Sequence, residues 1–225
     1  MPIFRDPVSS GSHLLTCLLA IVVTLFLYRI TRGDPRRRAC ALVFGLCMTV
    51  LYAASGLFHA LQLPPDDLRV YQKIDMSAIY LMIAGSCTPI MVLLLKGRFR
   101  TVLLLGEWTF AAAGIASLWV FPKPLHSVMV GFYLGMGWLG CTGLWHYWRA
   151  TGWRGIAWVV AGAGFYTIGA IVELANWPIL WPGVVSYHEL LHLVDIAGTL
   201  CHIVFIVKYV LPYRPAEAAG FAQAT

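Results

Sequence analysis

The stretch SYHELLHLVDIAGTLCHIVFIVKYVL, residues 186–211, decides how this chain is read. As a helix it is long enough to cross about 30 Å of hydrocarbon. Yet it opens with His188, Glu189, His192 and Asp195. Ionisable groups inside a lipid-crossing segment are expensive, and each is by default a functional candidate. The remainder of the 225 residues has the same apolar character, 60% hydrophobic against 12% charged. A soluble domain of this length has no interior large enough to hide that surface, which excludes a soluble enzyme. The basic residues sit in short clusters between apolar runs rather than on one face, which excludes a nucleic-acid binder.

Working outward, seven apolar stretches qualify as spans: 14–31, 39–62, 74–95, 101–120, 125–147, 155–173 and 186–211. The expected fold is all-α, a polytopic bundle of seven transmembrane helices. One domain, 14–212, lies between a short N-terminal tail, 1–13, and a C-terminal tail, 213–225, expected to be disordered. The first stretch does not read as a cleaved signal, because Tyr28, Arg29 and Ile30 stand where small residues are needed. Cys17, Cys40, Cys47, Cys87, Cys141 and Cys201 lie in or beside apolar runs without a CxxC pair, and read as buried free thiols. Gly131 and Gly135 form a GxxxG suited to close helix packing. Pro89 is expected to kink the third span, and Trp177, Trp181 and Tyr187 to form an interfacial belt.

Of the 16 Lys and Arg residues, four fall on the N-terminal side: Arg5, Arg69, Lys73 and Lys123. The other twelve fall opposite, in 28–38, 96–100 and 148–154 and in the C-terminal segment. The positive-inside rule therefore puts the N-terminus outside and the C-terminus in the cytoplasm.

His59 lies near the end of the second span, Asp75 near the start of the third, and His188 and His192 in the first turns of the seventh. Three helices thus bring polar groups to one depth on one side. His188 and His192 are i and i+4, so both rings share a face. His59 completes a His₃ set with an open fourth position, as in catalytic zinc sites. Ser55 shares a helix face with His59, and either hydrogen-bonds a metal-bound water or back-bonds to the carbonyl four residues earlier. Asp75 is either a general base for that water or the partner of Lys73. Asp195 either accepts a hydrogen bond from a zinc-bound imidazole or is a protonated helix–helix partner. Glu107 and His202 fall in the opposite half, where they are candidates to pair with each other. Glu173 and Glu189 read as solvated interface residues.

SGLFH (55–59), DMSAIYLMIAGSCTP (75–89) and HELLH (188–192), the last continuing to His202, together resemble the hemolysin III family. That family sits within the superfamily of progestin and adipoQ receptors, to which the adiponectin receptors also belong. The resemblance spans about 14–212. It implies Zn²⁺ ligated by His59, His188 and His192, with Asp75 and Ser55 holding the zinc water. It also implies one of two activities: zinc-dependent hydrolysis of lipid amides such as ceramide, or cytolysis by pore formation. Asp195 stands where an apolar residue is expected. Adiponectin receptors are thought to keep the N-terminus and zinc in the cytoplasm, opposite to the side that the charges indicate here.

Three functions stay open: an intramembrane zinc hydrolase of a lipid amide or ester bound between helices, a receptor-like sensor with structural zinc, and a pore-former. No span carries a full-length polar stripe, which weighs against the pore. The expected setting is a bacterial inner or plasma membrane. The lipid bilayer is the one partner indicated, and the oligomeric state is not.

Overall fold

The computed structural model describes residues 4–121 and 126–215. The part of the expected disordered tail at 216–225 lies outside the described residues. Seven α-helices follow in order: α1 (Pro7–Ile30), α2 (Pro35–Ala60), α3 (Pro65–Leu94), α4 (Gly97–Val120), α5 (His126–Cys141), α6 (Leu144–Ala175) and α7 (Tyr187–Phe205). The last runs on into a π-helical turn at Ile206–Val210. Among the described residues the only β pairing is one isolated bridge between Trp181 and Val185.

Five helices, α1 to α4 and α6, begin earlier than their apolar stretches. Pro7, Pro35 and Pro65 each stand in a first turn, where proline's missing N–H is no loss and its fixed φ favours the helix. The N-terminal segment expected as a tail therefore holds the first turns of α1. Likewise, Asp66 and Asp67 sit in the first turn of α3, where carboxylates complement the helix dipole. Asp75 consequently lies about 15 Å along α3 rather than in its first turn.

Six helices are long and apolar enough to cross a membrane: α1, α2, α3, α4, α6 and α7 with its π turn. α5 has 16 residues, about 24 Å of rise, which is short of the hydrocarbon thickness. The fifth stretch, read as far as 147, ends at Cys141. The basic segment 148–154, read as a loop, is instead part of α6. Its helix is interrupted at Gly152, whose φ of 67° suits a residue without Cβ.

α3 is the central helix, touching α2, α4, α5, α6 and the π turn, and α1 closes the bundle against α7. One core cluster gathers Phe44, Met48, Tyr52, Met91, Phe205 and Ile206. A second joins Tyr80, Ala84, Ala111, Leu118 and Met136. Leu18, Val102, Leu105 and Val120 face outward, as lipid-facing side chains do. In lipid, helices associate by close packing more than by hydrophobic drive. Gly114 illustrates this, because a Cβ there would strike the ring of Tyr80. Tyr80 is itself fully buried and set 4.5 Å, centroid to centroid, from Tyr133. The GxxxG of α5 behaves otherwise: a Cβ at Gly131 or Gly135 meets nothing within 4 Å. That stripe does not pack against a helix of its own chain. Glu107 and His202 do not pair either. His202 Nδ1 bonds the Gly198 carbonyl at 3.0 Å, while Glu107 is buried beside Gly140 and Cys87.

Gly114→Ala should destabilise the protein by about 1–3 kcal/mol, the usual penalty for overpacking. Gly131→Ala should leave stability unchanged or slightly raised. Thermal unfolding of both variants in detergent checks this, and equal melting temperatures would contradict the packing described for α3 and α4.

Candidate metal centre

α7 begins with a capping box. The Ser186 side chain caps the helix at the His188 N–H, and Glu189 Oε2 accepts the Ser186 N–H at 2.8 Å. This pairing satisfies orphan donors of the first turn and sets the entry angle of the helix. Glu189 is therefore a cap rather than a solvated residue, and its Oε1 also accepts from Ser9 of α1 at 3.4 Å. One turn further on, His188 and His192 project together into the bundle. α2 brings His59 to the same place from its last turn.

The three Nε2 atoms converge. His192 Nε2 is 3.1 Å from His59 Nε2 and 3.2 Å from His188 Nε2. The donor atoms of the group lie within 4.8 Å of one another, and among the described residues it is the one group of three or more metal-ligating side chains found so close. Carboxylates hold the far sides of two rings. His59 Nδ1 bonds Asp6 Oδ2 at 2.9 Å, and His188 Nδ1 bonds Glu173 Oε2 at 3.1 Å. An imidazole that donates from Nδ1 presents a bare lone pair at Nε2. With all three rings neutral, His192 Nε2 has at most one proton for its two neighbours, and at least one N···N contact then sets lone pair against lone pair. A cation at the centre removes that conflict. A tetrahedral site with Zn–N bonds of about 2.0–2.1 Å places its donors about 3.3–3.4 Å apart, close to the separations found here. Carboxylate–histidine–metal relays of this kind orient the ring and raise its basicity. The residues present can therefore hold a metal ion.

Asp6 immediately precedes α1, and its backbone N–H bonds the His59 carbonyl at 3.0 Å, docking the start of α1 onto the end of α2. Burial works to raise its carboxyl pKa. The bond to His59 and the adjacent Arg5 outweigh that and hold it below the usual carboxylate range, so it stays an acceptor.

Ser55 donates to the Asp75 carboxylate, and both side chains are buried. The Lys73 ammonium lies 5.7 Å from the centroid of the Trp119 ring, leaving Asp75 to the interior. Asp75 and Ser55 line a cavity of about 520 Å³ together with His188 and His192. The cavity continues past Asp195 to Tyr147 and Val159. Asp195 also lines it, and among the described residues makes no hydrogen bond to His59, His188 or His192. Tyr52 and Tyr166 both meet Thr199 in its wall, at 2.7 and 3.0 Å.

Asp6, Glu173 and His13 were not singled out by sequence as parts of the site. Nothing in the spacing links Asp6 to His59. Glu173 ends α6 on the same side as His188, a depth match that was available. It also meets His126 Nε2 at 3.3 Å. His13 falls in the polar start of α1, ahead of the apolar stretch that begins at residue 14.

A profile of the family described as "Haemolysin-III related" matches residues 2–203. The chain is 28% identical over 203 residues to "Hemolysin-3" of Bacillus cereus, covering 89% of this chain and 90% of that protein. It is also 28% identical over 203 residues to "Hemolysin-3 homolog" of Bacillus subtilis (strain 168), covering 88% and 92% respectively.

His59→Ala, His188→Ala and His192→Ala should each abolish stoichiometric metal in the purified protein. Glu173→Gln should weaken metal affinity by about 10–100-fold while leaving the site intact. Elemental analysis and competition with a chelator decide both points, and full metal retention by the alanine variants would show the site to be misassigned.

Proposed function

The chain belongs to the haemolysin-III-related family, and from that premise we propose that it is an integral membrane zinc protein that hydrolyses an amide or ester bond of a lipid. The observation that carries this reading is the convergence of three imidazoles, two of which, His188 and His192, share one largely apolar cavity with Asp75. A zinc ion held there supplies a water activated at neutral pH and a Lewis acid for the scissile carbonyl.

The side chains do the rest. Asp6 and Glu173 hold His59 and His188 by Nδ1 and keep each Nε2 facing inward. The Asp75 carboxylate takes the proton of the attacking water and passes it to the leaving amine or alcohol. Ser55 Oγ–H keeps that carboxylate turned toward the cavity. Ile79, Met82, Ile83, Ile90 and Val159 form an apolar wall that accommodates an acyl chain and excludes bulk water. A sensor with structural zinc would have no use for a buried carboxylate in the cavity that His188 and His192 line. A cytolytic pore, the reading suggested by the relatives' names, would release dye from liposomes without consuming lipid.

The proposal includes seven spans, with α5 as the fifth, in a bacterial plasma membrane. Twelve of the 16 basic residues flank one side, so the N-terminus and the metal face outward and the C-terminus lies in the cytoplasm. The substrate then comes from the outer leaflet.

Asp75→Asn should keep its metal and lose at least about 10²-fold of lipid hydrolysis, the loss expected when a general base is removed. Turnover of N-acyl and O-acyl lipids by purified protein, set beside dye leakage from liposomes, is the assay. Wild-type rates in the variant, or leakage without hydrolysis, would overturn the reading.

A cytoplasm-dependent fluorescent reporter fused to the C-terminus should light up. A dark, protease-accessible C-terminus in intact cells would reverse the orientation and switch the substrate leaflet.

A further inference from the structure

The imidazole of His13 has no role in the arrangement above. It sits in the second turn of α1, 3% exposed. Its ring stands edge-on to His192 at 4.2 Å and to Tyr52 at 5.1 Å, centroid to centroid. It is not part of the group that can hold the metal, which is His59, His188 and His192. It does line the cavity, and neither Nδ1 nor Nε2 has a hydrogen-bond partner in the protein. The hydroxyl of neighbouring Tyr52 is engaged with Thr199. Leaving a buried polar group unpaired costs about 1–3 kcal/mol, and such groups call for a partner.

We infer that His13 contacts the molecule bound in the cavity, donating a ring N–H to an acyl oxygen, the carbonyl of an acyl lipid or the carboxylate of the released acid. This rests on the acyl-lipid reading of the site. The choice of an oxygen acceptor follows from what else faces the cavity. Asp75, Glu173 and Asp195 also line the cavity and when ionised offer only acceptors, which repel an acyl oxygen. A neutral imidazole always carries one N–H. His13, packed against a metal-site imidazole and free at both nitrogens, supplies the donor that the carboxylates cannot. The step is binding only and moves no proton.

The test uses the full-length protein in detergent, loaded with Co²⁺, and two probes of equal chain length: a C16 fatty acid and the C16 alcohol. His13→Phe keeps the ring packing and removes the N–H. It should retain one metal per chain and bind the fatty acid at least about 10-fold more weakly, equivalent to about 1.4 kcal/mol. Its affinity for the alcohol should match wild type. His13→Gln, which keeps an N–H, should recover most of the acid affinity. If His13→Phe fails to fold, comparing His13→Gln with His13→Leu gives the same contrast. Unchanged acid affinity, equal weakening for acid and alcohol, loss of metal, or no acid binding by wild type would each overturn the assignment. Fatty-acid binding that depends on His13, in a protein that cleaves no lipid, would sink the hydrolase and leave His13 standing.

Discussion

Three imidazole nitrogens face one another inside the bundle, an arrangement that a cation at the centre would satisfy. Two are fixed as lone-pair donors by Asp6 and Glu173, and the third stands within 3.2 Å of both. Much of the surrounding architecture serves that convergence. The capping box of Ser186 and Glu189 starts α7 so that His188 and His192 point inward. The backbone pairing of Asp6 with His59 seats α1 on the end of α2. Glu189 then ties α7 back to α1 through Ser9. The start of α1, the end of α2 and the start of α7 are thereby locked at one level of the bundle.

Beyond that level the chain follows the rules of a lipid solvent. Backbone groups are satisfied within helices, and serine and threonine hydroxyls mostly return to their own helix, as Thr24 does to Ala20 and Thr88 to Ala84. Polar side chains that do not are concentrated on the cavity. Tyr52, Tyr166 and Thr199 bond one another there, while the opposite faces of α1 and α4 present leucine and valine outward. The bundle thus gathers the imidazoles of His59, His188 and His192 at one end of a largely apolar body.

How much of this could be read beforehand depended on whether a feature is local. His188 and His192 announce themselves by i, i+4 spacing, and His59 by its depth at a span end, so the grouping of these three imidazoles was readable. Ser55 and Asp75 were readable as residues, but their mutual bond required α2 and α3 to be placed. Asp6 and Glu173 lie outside or at the edge of the apolar runs and reach the site only through tertiary docking. Hydropathy also located helix starts poorly. It is blind to a polar first turn led by proline, which is why His13 was overlooked and Asp75 was set too near the surface. The Gly131 and Gly135 pair shows the reverse failure, since its spacing signals packing but cannot say whether the partner is in the same chain.

X-ray absorption at the metal edge of protein purified without added chelator tests the centre most directly. Three nitrogen scatterers at about 2.0–2.1 Å, with the outer-shell pattern of imidazole and one further light atom, are the result this account predicts. Sulfur at about 2.3 Å would place the metal on the cysteines instead, and protein that carries no metal would contradict the account outright.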